Sequence, residues 1–246
     1  MRRLFLALVA STFVAGVASA ADMPVKAPVY KAPVLAPVYN WTGLYVGLNA
    51  GYSWGRQDVT LMPAGTVNSP KLNGFIGGGQ IGYNWQMNQL VLGLEADFQG
   101  SGQKGDGNFI IPASDPCAPL ASCPVPASAV AYTAKLDWFG TVRGRLGYAM
   151  DRWLPYITGG WAFGRGSISG TSTGGIASTF SGSRTYSGWT VGGGLEYAFT
   201  NNWSAKAEYL YIDFGNGPTI ALTPAVSLVG GKMTDNILRL GVNYHF

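Results

Sequence analysis

Charge is scarce in this chain, and so are the side chains that carry most metal and acid–base chemistry. Of 246 residues only 11% are Asp, Glu, Lys or Arg, with one histidine and two cysteines. Beyond the first twenty residues there is no uninterrupted apolar run of the about 18 residues that a membrane-spanning helix requires, which excludes a helical membrane protein. Nor does a large excess of one charge sign point to nucleic acid, because 16 basic residues stand against 12 acidic ones. What the chain has instead is glycine (36 residues), aromatic side chains (13%) and a hydrophobic fraction of 47%, a composition unusual for a soluble enzyme. Without long apolar runs, the remaining way to face lipid with every backbone group satisfied is a closed β-barrel.

Residues 1–20 read as a secretory signal peptide, with Arg2 and Arg3 before an apolar core from Leu4 to Val17 and Ala18-Ser19-Ala20 as the cleavage site. Cleavage there, or one residue later, removes two of the 16 basic residues and leaves 14 against 12 acidic, a net charge of +2. Residues 21–40 follow as a Pro-rich periplasmic tether, since Pro24, Pro28, Pro33 and Pro37 block both helix and central strand. It reads as a spacer, and contact with the cell wall is the alternative.

From Gly43 onward the dominant period is two, which sends alternate side chains to opposite faces of a strand. Leu44, Val46, Leu48, Ala50, Tyr52 and Trp54 share one face, with Tyr45, Gly47, Asn49, Gly51 and Ser53 on the other. Likewise Phe75, Ile81, Tyr83 and Trp85 oppose Gln80 and Asn84, and Leu90 to Phe98 oppose Glu95, Asp97 and Gln99. Leu136, Trp138, Val142, Leu146 and Tyr148 oppose Asp137, Thr141, Arg143 and Arg145. Residues 154–163 are apolar on both faces, a strand with its register open. Trp189 to Phe199 oppose Glu196, Trp203 to Tyr211 oppose Lys206 and Glu208, and Leu238 to Phe246 oppose Arg239, Asn243 and His245. The expectation is an all-β fold over 41–246, an eight-stranded antiparallel up-and-down transmembrane β-barrel.

Connections alternate between tight (86–89, 149–152, 200–202) and long (55–73, 100–130, 164–186, 215–232), which matches periplasmic turns and surface loops of an outer-membrane barrel. Trp85, Tyr148, Trp153, Phe199, Trp203, Tyr244 and Phe246 lie by the tight turns, and Tyr52, Trp54, Phe75, Phe98, Phe163 and Trp189 by the long loops. They predict two interfacial girdles.

The tether Ala-Asp-Met-Pro-Val-Lys-Ala-Pro, the first strand from Trp41 to Trp54 and the terminal stretch from Leu238 to Phe246 together resemble the small outer-membrane β-barrel surface proteins of alphaproteobacteria. That family is porin-like and related to the OmpA transmembrane domain. The resemblance implies an exported protein of the Gram-negative outer membrane, in contact with outer-membrane lipid and lipopolysaccharide. It also implies that Gly241, Val242, Tyr244 and Phe246 form a signal for the barrel-assembly machinery. Abundant structural proteins and surface antigens are its usual members, with heme binders and modest porins among them.

The inward charges Glu95, Asp97, Arg143, Arg145, Glu196, Lys206, Glu208 and Arg239 mix both signs in a narrow lumen, so they are expected to pair and plug it. A polar path for water or small ions is the alternative, since Gly47, Gly51, Gly78, Gly82, Gly93, Gly192 and Gly194 on the same face leave space. Gly77 to Gly82 spells a dinucleotide fingerprint, but it lies inside a strand with no helix after it. Cys117 and Cys123 in the longest loop predict a disulfide, because the exported setting is oxidising; a metal pair is the weaker reading. His245, on the periplasmic side, leaves a serine–histidine site at the opposite face without a base. No cofactor is assigned; heme capture by the loops, with Tyr52, Tyr132 or Tyr186 as ligand, rests on the resemblance alone. The chain therefore reads as a non-catalytic structural or surface-exposed barrel, with a small weakly selective porin as the alternative and heme binding as a third reading.

Overall fold

The computed structural model describes residues 39–62, 64–113, 126–175, 178–217, 219–223 and 226–246. Residues 1–20, the stretch 21–38, Cys117 and Cys123 lie outside them.

Ten strands follow in chain order: β1 (Gly43–Met62), β2 (Thr66–Asn68), β3 (Lys71–Met87), β4 (Leu90–Ile111), β5 (Ser128–Tyr148), β6 (Trp153–Gly174), β7 (Ser178–Ala198), β8 (Trp203–Asn216), β9 (Thr219–Thr223) and β10 (Val226–His245). Eight are long. The short β2 and β9 fold back on β1 and β10 at the end away from the tight turns. Neighbours run β1-β3-β4-β5-β6-β7-β8-β10, all antiparallel, and β10 pairs with β1 from Tyr45↔His245 to Met62↔Ser227, so the sheet closes on itself. At the tight end β3 and β4 are joined by Asn88 and Gln89 alone. Asn88 takes the left-handed conformation (φ 57°) that such a turn demands, and Asp151 (φ 53°) does the same between β5 and β6.

From the tight turns to about mid-strand the alternation is apolar outward and polar inward: Leu48, Leu94, Ile157 and Leu240 are exposed, whereas Asn49, Glu95, Arg143 and Glu208 are buried. Exposed aromatics ring both edges of this band, including Trp85, Trp153 and Phe246 at one edge and Trp54, Phe98 and Trp189 at the other.

Beyond the second ring the strands do not stop. A tilted strand crosses a bilayer in about 9–11 residues, yet β4 and β6 each have 22. Among the described residues the four expected long loops are therefore mostly strand, and this corrects the sequence reading. The cause is an inversion of polarity. Past Trp54, Gln57, Val59 and Leu61 point inward while Arg56 and Asp58 turn outward. Inside, Leu61, Leu72, Phe139, Ile168, Phe214 and Ile237 belong to one apolar core.

Two further corrections have a local cause. A β-bulge between Leu136 and Trp138 shifts the β5 register, so Leu136 is buried inside and Asp137 is exposed outside, the reverse of the expected faces. Between residues 154 and 163 the open register resolves, with Leu154, Tyr156, Thr158 and Ala162 inward and Ile157 and Trp161 outward.

Candidate functional site

The chemistry of the interior lies at mid-height of the apolar band, where β4, β5, β7, β8 and β10 turn charged side chains inward. Register alone sets Glu95 beside Arg143 and Glu208 beside Arg239. Longer reaches cross the lumen. Lys206 on β8 donates to both Glu95 oxygens on β4, the strand diametrically opposite, at 2.9 Å. Arg143 contacts Glu95, donates to Asp97 at 2.9 Å and to Glu208 at 3.0 Å, and holds Thr141 through Nε at 2.9 Å. Arg239 donates to Glu208 at 2.7 Å and to Asp97 at 3.0 Å. Arg145 pairs with Glu196 at 2.5 Å and lies over the Tyr156 ring, 3.9 Å from its centroid.

All eight expected residues are thus buried in one cluster, four carboxylates against four cations. Buried charges need such partners, and hydroxyls add to them: Tyr45 donates to Glu95 at 2.7 Å, Tyr156 to Glu208 at 3.0 Å and Thr141 to Asp97 at 2.7 Å, while Asp97 Oδ1, Arg145 Nε and Arg239 Nη1 have no hydrogen-bond partner among the described residues. Tyr45 already stood on the inward face by parity. Tyr156 was hidden because its strand is apolar on both faces.

The inward glycines do not leave free space, which corrects that expectation. A Cβ on Gly82 would fall within the Tyr45 ring, one on Gly194 against the Tyr156 hydroxyl, and one on Gly47 against the Asn243 and Gln80 amides. They are recesses in which larger side chains lie flat. Gly82→Val is expected to displace Tyr45 from Glu95 and lower stability by about 1–3 kcal/mol. Equilibrium unfolding in lipid vesicles checks this. A loss no larger than that of Tyr45→Phe, which deletes only the hydroxyl, would contradict the packing argument.

Below the charges, Ser204 donates to Glu196 at 2.5 Å, so its oxygen accepts from His245 Nε2 at 2.9 Å. Glu196 also lies 3.4 Å from that same nitrogen. A hydrolytic relay needs the acid on the other ring nitrogen and an accessible serine. Ser204 is fully buried. These three residues are therefore structural.

Lower still, the tight-turn mouth is closed by residues that precede β1. Trp41 is fully buried with Val91, Ala149, Leu154 and Ala198, and Tyr39 packs edge-on against it at 4.7 Å. The Trp41 amide donates to Gln86 Oε1 at 2.8 Å and its indole to the Asp151 carbonyl at 3.2 Å. Burial, reinforced by Glu196, pushes the Tyr39 hydroxyl up to about 12, so this lid is uncharged. Sequence reasoning missed the lid, although a tryptophan two residues before a strand is a usable signal. With the apolar core above, the lumen is occupied at three levels.

Of the heme-ligand candidates, Tyr132 and Tyr186 are buried in the upper core and Tyr52 faces outward, so they share no pocket. At the C-terminus, Val242 and Phe246 face outward, Tyr244 packs edge-on against Trp203 and Phe246 at 5.1 Å, and Gly241 faces the lumen beside Asn49 and Lys206.

Comparison with known proteins agrees with this architecture. Residues 6–246 match the family described as outer membrane protein beta-barrel domain. The 31 kDa outer-membrane immunogenic protein of Brucella melitensis is 39% identical over 263 residues, covering 100% of both chains. The 22 kDa outer membrane protein of Rhizobium leguminosarum bv. viciae is 33% identical, over 87% of this chain and 86% of that one. Among solved structures, the outer membrane protease OmpT of Escherichia coli aligns with 86% of this chain and 99% of its own at a TM-score of 0.51 and 12% identity, a likeness of fold alone. The chain belongs to the outer membrane protein β-barrel family, and the outer membrane is where it resides.

Proposed function

We propose that this protein is a sealed, non-catalytic barrel with a structural and surface-presenting role in the cell envelope. The observation that carries this reading is the charge cluster that spans the lumen from β4 to β8 with every ionic group paired. An ion would have to displace at least one of these pairs to pass, and breaking a buried pair costs several kcal/mol. The apolar core above offers ions no hydration, and the Trp41 lid closes the opposite mouth.

What the fold presents to the exterior is a rigid extension of the barrel wall, polar outside and apolar inside. The relatives named as outer-membrane immunogenic proteins support a presenting role for such an extension. Planar-bilayer recording of the refolded chain tests the proposal, with heat-modifiable gel mobility as proof of folding. Wild type is expected to give no stable unitary current. Stable steps whose size changes in Arg143→Ala would replace the sealed reading with a pore.

A further inference from the structure

One buried carboxylate stands apart from the charge cluster. Among the described residues the buried acids are Glu95, Asp97, Glu196, Glu208, Asp213 and Asp235, and each except Asp235 has a cation within ion-pair distance. Asp235 is fully buried on the inward face of β10, between Met233 and Ile237 of the apolar core. It stands opposite Gly55, one residue beyond the level of Trp54 and the second aromatic ring.

The fold is shaped around this side chain. A Cβ on Gly55 would fall 2.9 Å from Asp235 Oδ1, so the carboxyl group lies in the recess that this glycine provides. Ser53 on β1 donates to Oδ1 at 2.5 Å, and Gln103 Nε2 donates to Oδ2 at 2.7 Å. Gln103 belongs to β4, beyond β3 in the order β10-β1-β3-β4, and it reaches past Gly74, whose own Cβ would strike the Gln103 backbone at 2.6 Å. Asp235 thus ties β10 to β1 and to β4.

No charge faces it from the elements around it. On β1 the inward neighbours are Ser53 and Gln57, with Arg56 and Asp58 turned outward, and on β3 they are Leu72 and Ile76, with Lys71 outward. On β8 they are Leu210 and Ile212, while Asp213 is paired with Lys232 at 2.9 Å. Arg239 on β10 and Asp97 on β4 lie lower and are held in the charge cluster, and the Tyr186 hydroxyl accepts from Gln57 at 3.2 Å. A carboxyl group so placed favours its neutral form, because nothing offsets the desolvation of its charge.

We infer that Asp235 is a proton-binding site that works as a clasp at the base of the outer half: protonated, it holds β10, β1 and β4 together, and ionised, it loosens them. Burial pushes its carboxyl up from 3.8 to about 6, with the Ser53 and Gln103 hydrogen bonds pulling the other way. A group whose folded value lies above its unfolded one stabilises the fold at low pH, and that contribution is lost as pH rises through about 6. The clasp is therefore tightest in an acid medium. This holds whether or not the lumen conducts.

Asp235→Asn, which keeps the shape of the neutral acid, isolates the effect from every other titrating group. Urea unfolding of the refolded full chain in lipid vesicles is compared for the two proteins between about pH 4 and pH 7. Over that range the unfolding equilibrium constant of wild type, divided by that of the variant, should rise about fiftyfold, as a shift from 3.8 to about 6 requires. Parallel curves overturn the inference. Carboxyl-carbon NMR of the aspartate-labelled chain in micelles reads the same proton directly: the resonance that Asp235→Asn removes should titrate near pH 6, and a midpoint near the ordinary 3.8 overturns the site. If Asp235→Asn does not refold, Asp235→Ser serves in both measurements. Amide hydrogen exchange, corrected for its intrinsic pH dependence, tests the clasp itself. Protection at Ser53 and Gln103 should fall as pH rises through about 6 in wild type and hold steady in the variant, and an equal fall in both overturns the clasp.

Discussion

Replacing Arg143 with alanine is expected to lower barrel stability by about 3–5 kcal/mol, the cost of leaving buried charge without its partner. Arg143 contacts three carboxylates, Glu95, Asp97 and Glu208, together with the Thr141 hydroxyl, and it is fully buried. Without it, four carboxylates face three cations. Lys206 still serves Glu95, and Arg239 still serves Asp97 and Glu208, so the excess charge is shared and the loss should stay within that range. Urea unfolding in lipid vesicles measures it. Two companions separate charge from packing. Arg143→Lys keeps the charge and loses the planar fork, and should fall between wild type and alanine. Arg143→Ala/Glu95→Gln returns the cluster to three against three with the same cavity left behind, and should be more stable than Arg143→Ala. If the double variant is no better than Arg143→Ala, the cost lies in cavity formation and the electrostatic account is wrong.

Why this cluster was legible in the sequence and the upper half of the barrel was not follows from one physical difference. Within the bilayer, lipid imposes an outward apolar face, so Glu95, Arg143, Glu208 and Arg239 announce the lumen by falling on the other parity. Above the bilayer, water imposes the reverse. A reading that seeks apolar residues on the outward parity therefore takes Gln57, Val59 and Leu61 for loop, though the period of two never lapses there.

Bulges add a second kind of blindness. The shift at Leu136 and Trp138 exchanges the faces of Leu136 and Asp137, and nothing in their local order shows it, because a run of period two looks the same from either side of the bulge. Glycines misled for a third reason. Parity placed Gly82 and Gly194 inside correctly, but whether an absent side chain leaves a void or a recess depends on what the opposite strand sends into it. Here Tyr45 and Tyr156 fill the places, and each also caps a carboxylate of the cluster. The proposed seal therefore rests on the pairing of recess and ring as well as on charge.

Trp41→Ala should cost a comparable amount, about 3–5 kcal/mol, the usual range for a fully buried tryptophan. Its ring fills the space between Val91, Ala149, Leu154 and Ala198, and its edge meets His245 at 5.8 Å. Two hydrogen bonds join it to the turns, one from the amide to Gln86 and one from the indole to Asp151. Only the second depends on the side chain. Trp41→Phe removes that bond and part of the ring, so its loss should be clearly smaller than that of alanine. The mouth and the cluster above it can be told apart by combining stability with conductance. If the charge cluster is the seal, Trp41→Ala opens the periplasmic mouth as far as Glu196 and His245 and the barrel stays silent in planar bilayers, whereas Trp41→Ala/Arg143→Ala removes both barriers and leaves the apolar core of the outer half as the last one. Stable current through Trp41→Ala alone would make the lid the effective seal, and the ion pairs would then be read as holding the wall together around a path they do not block.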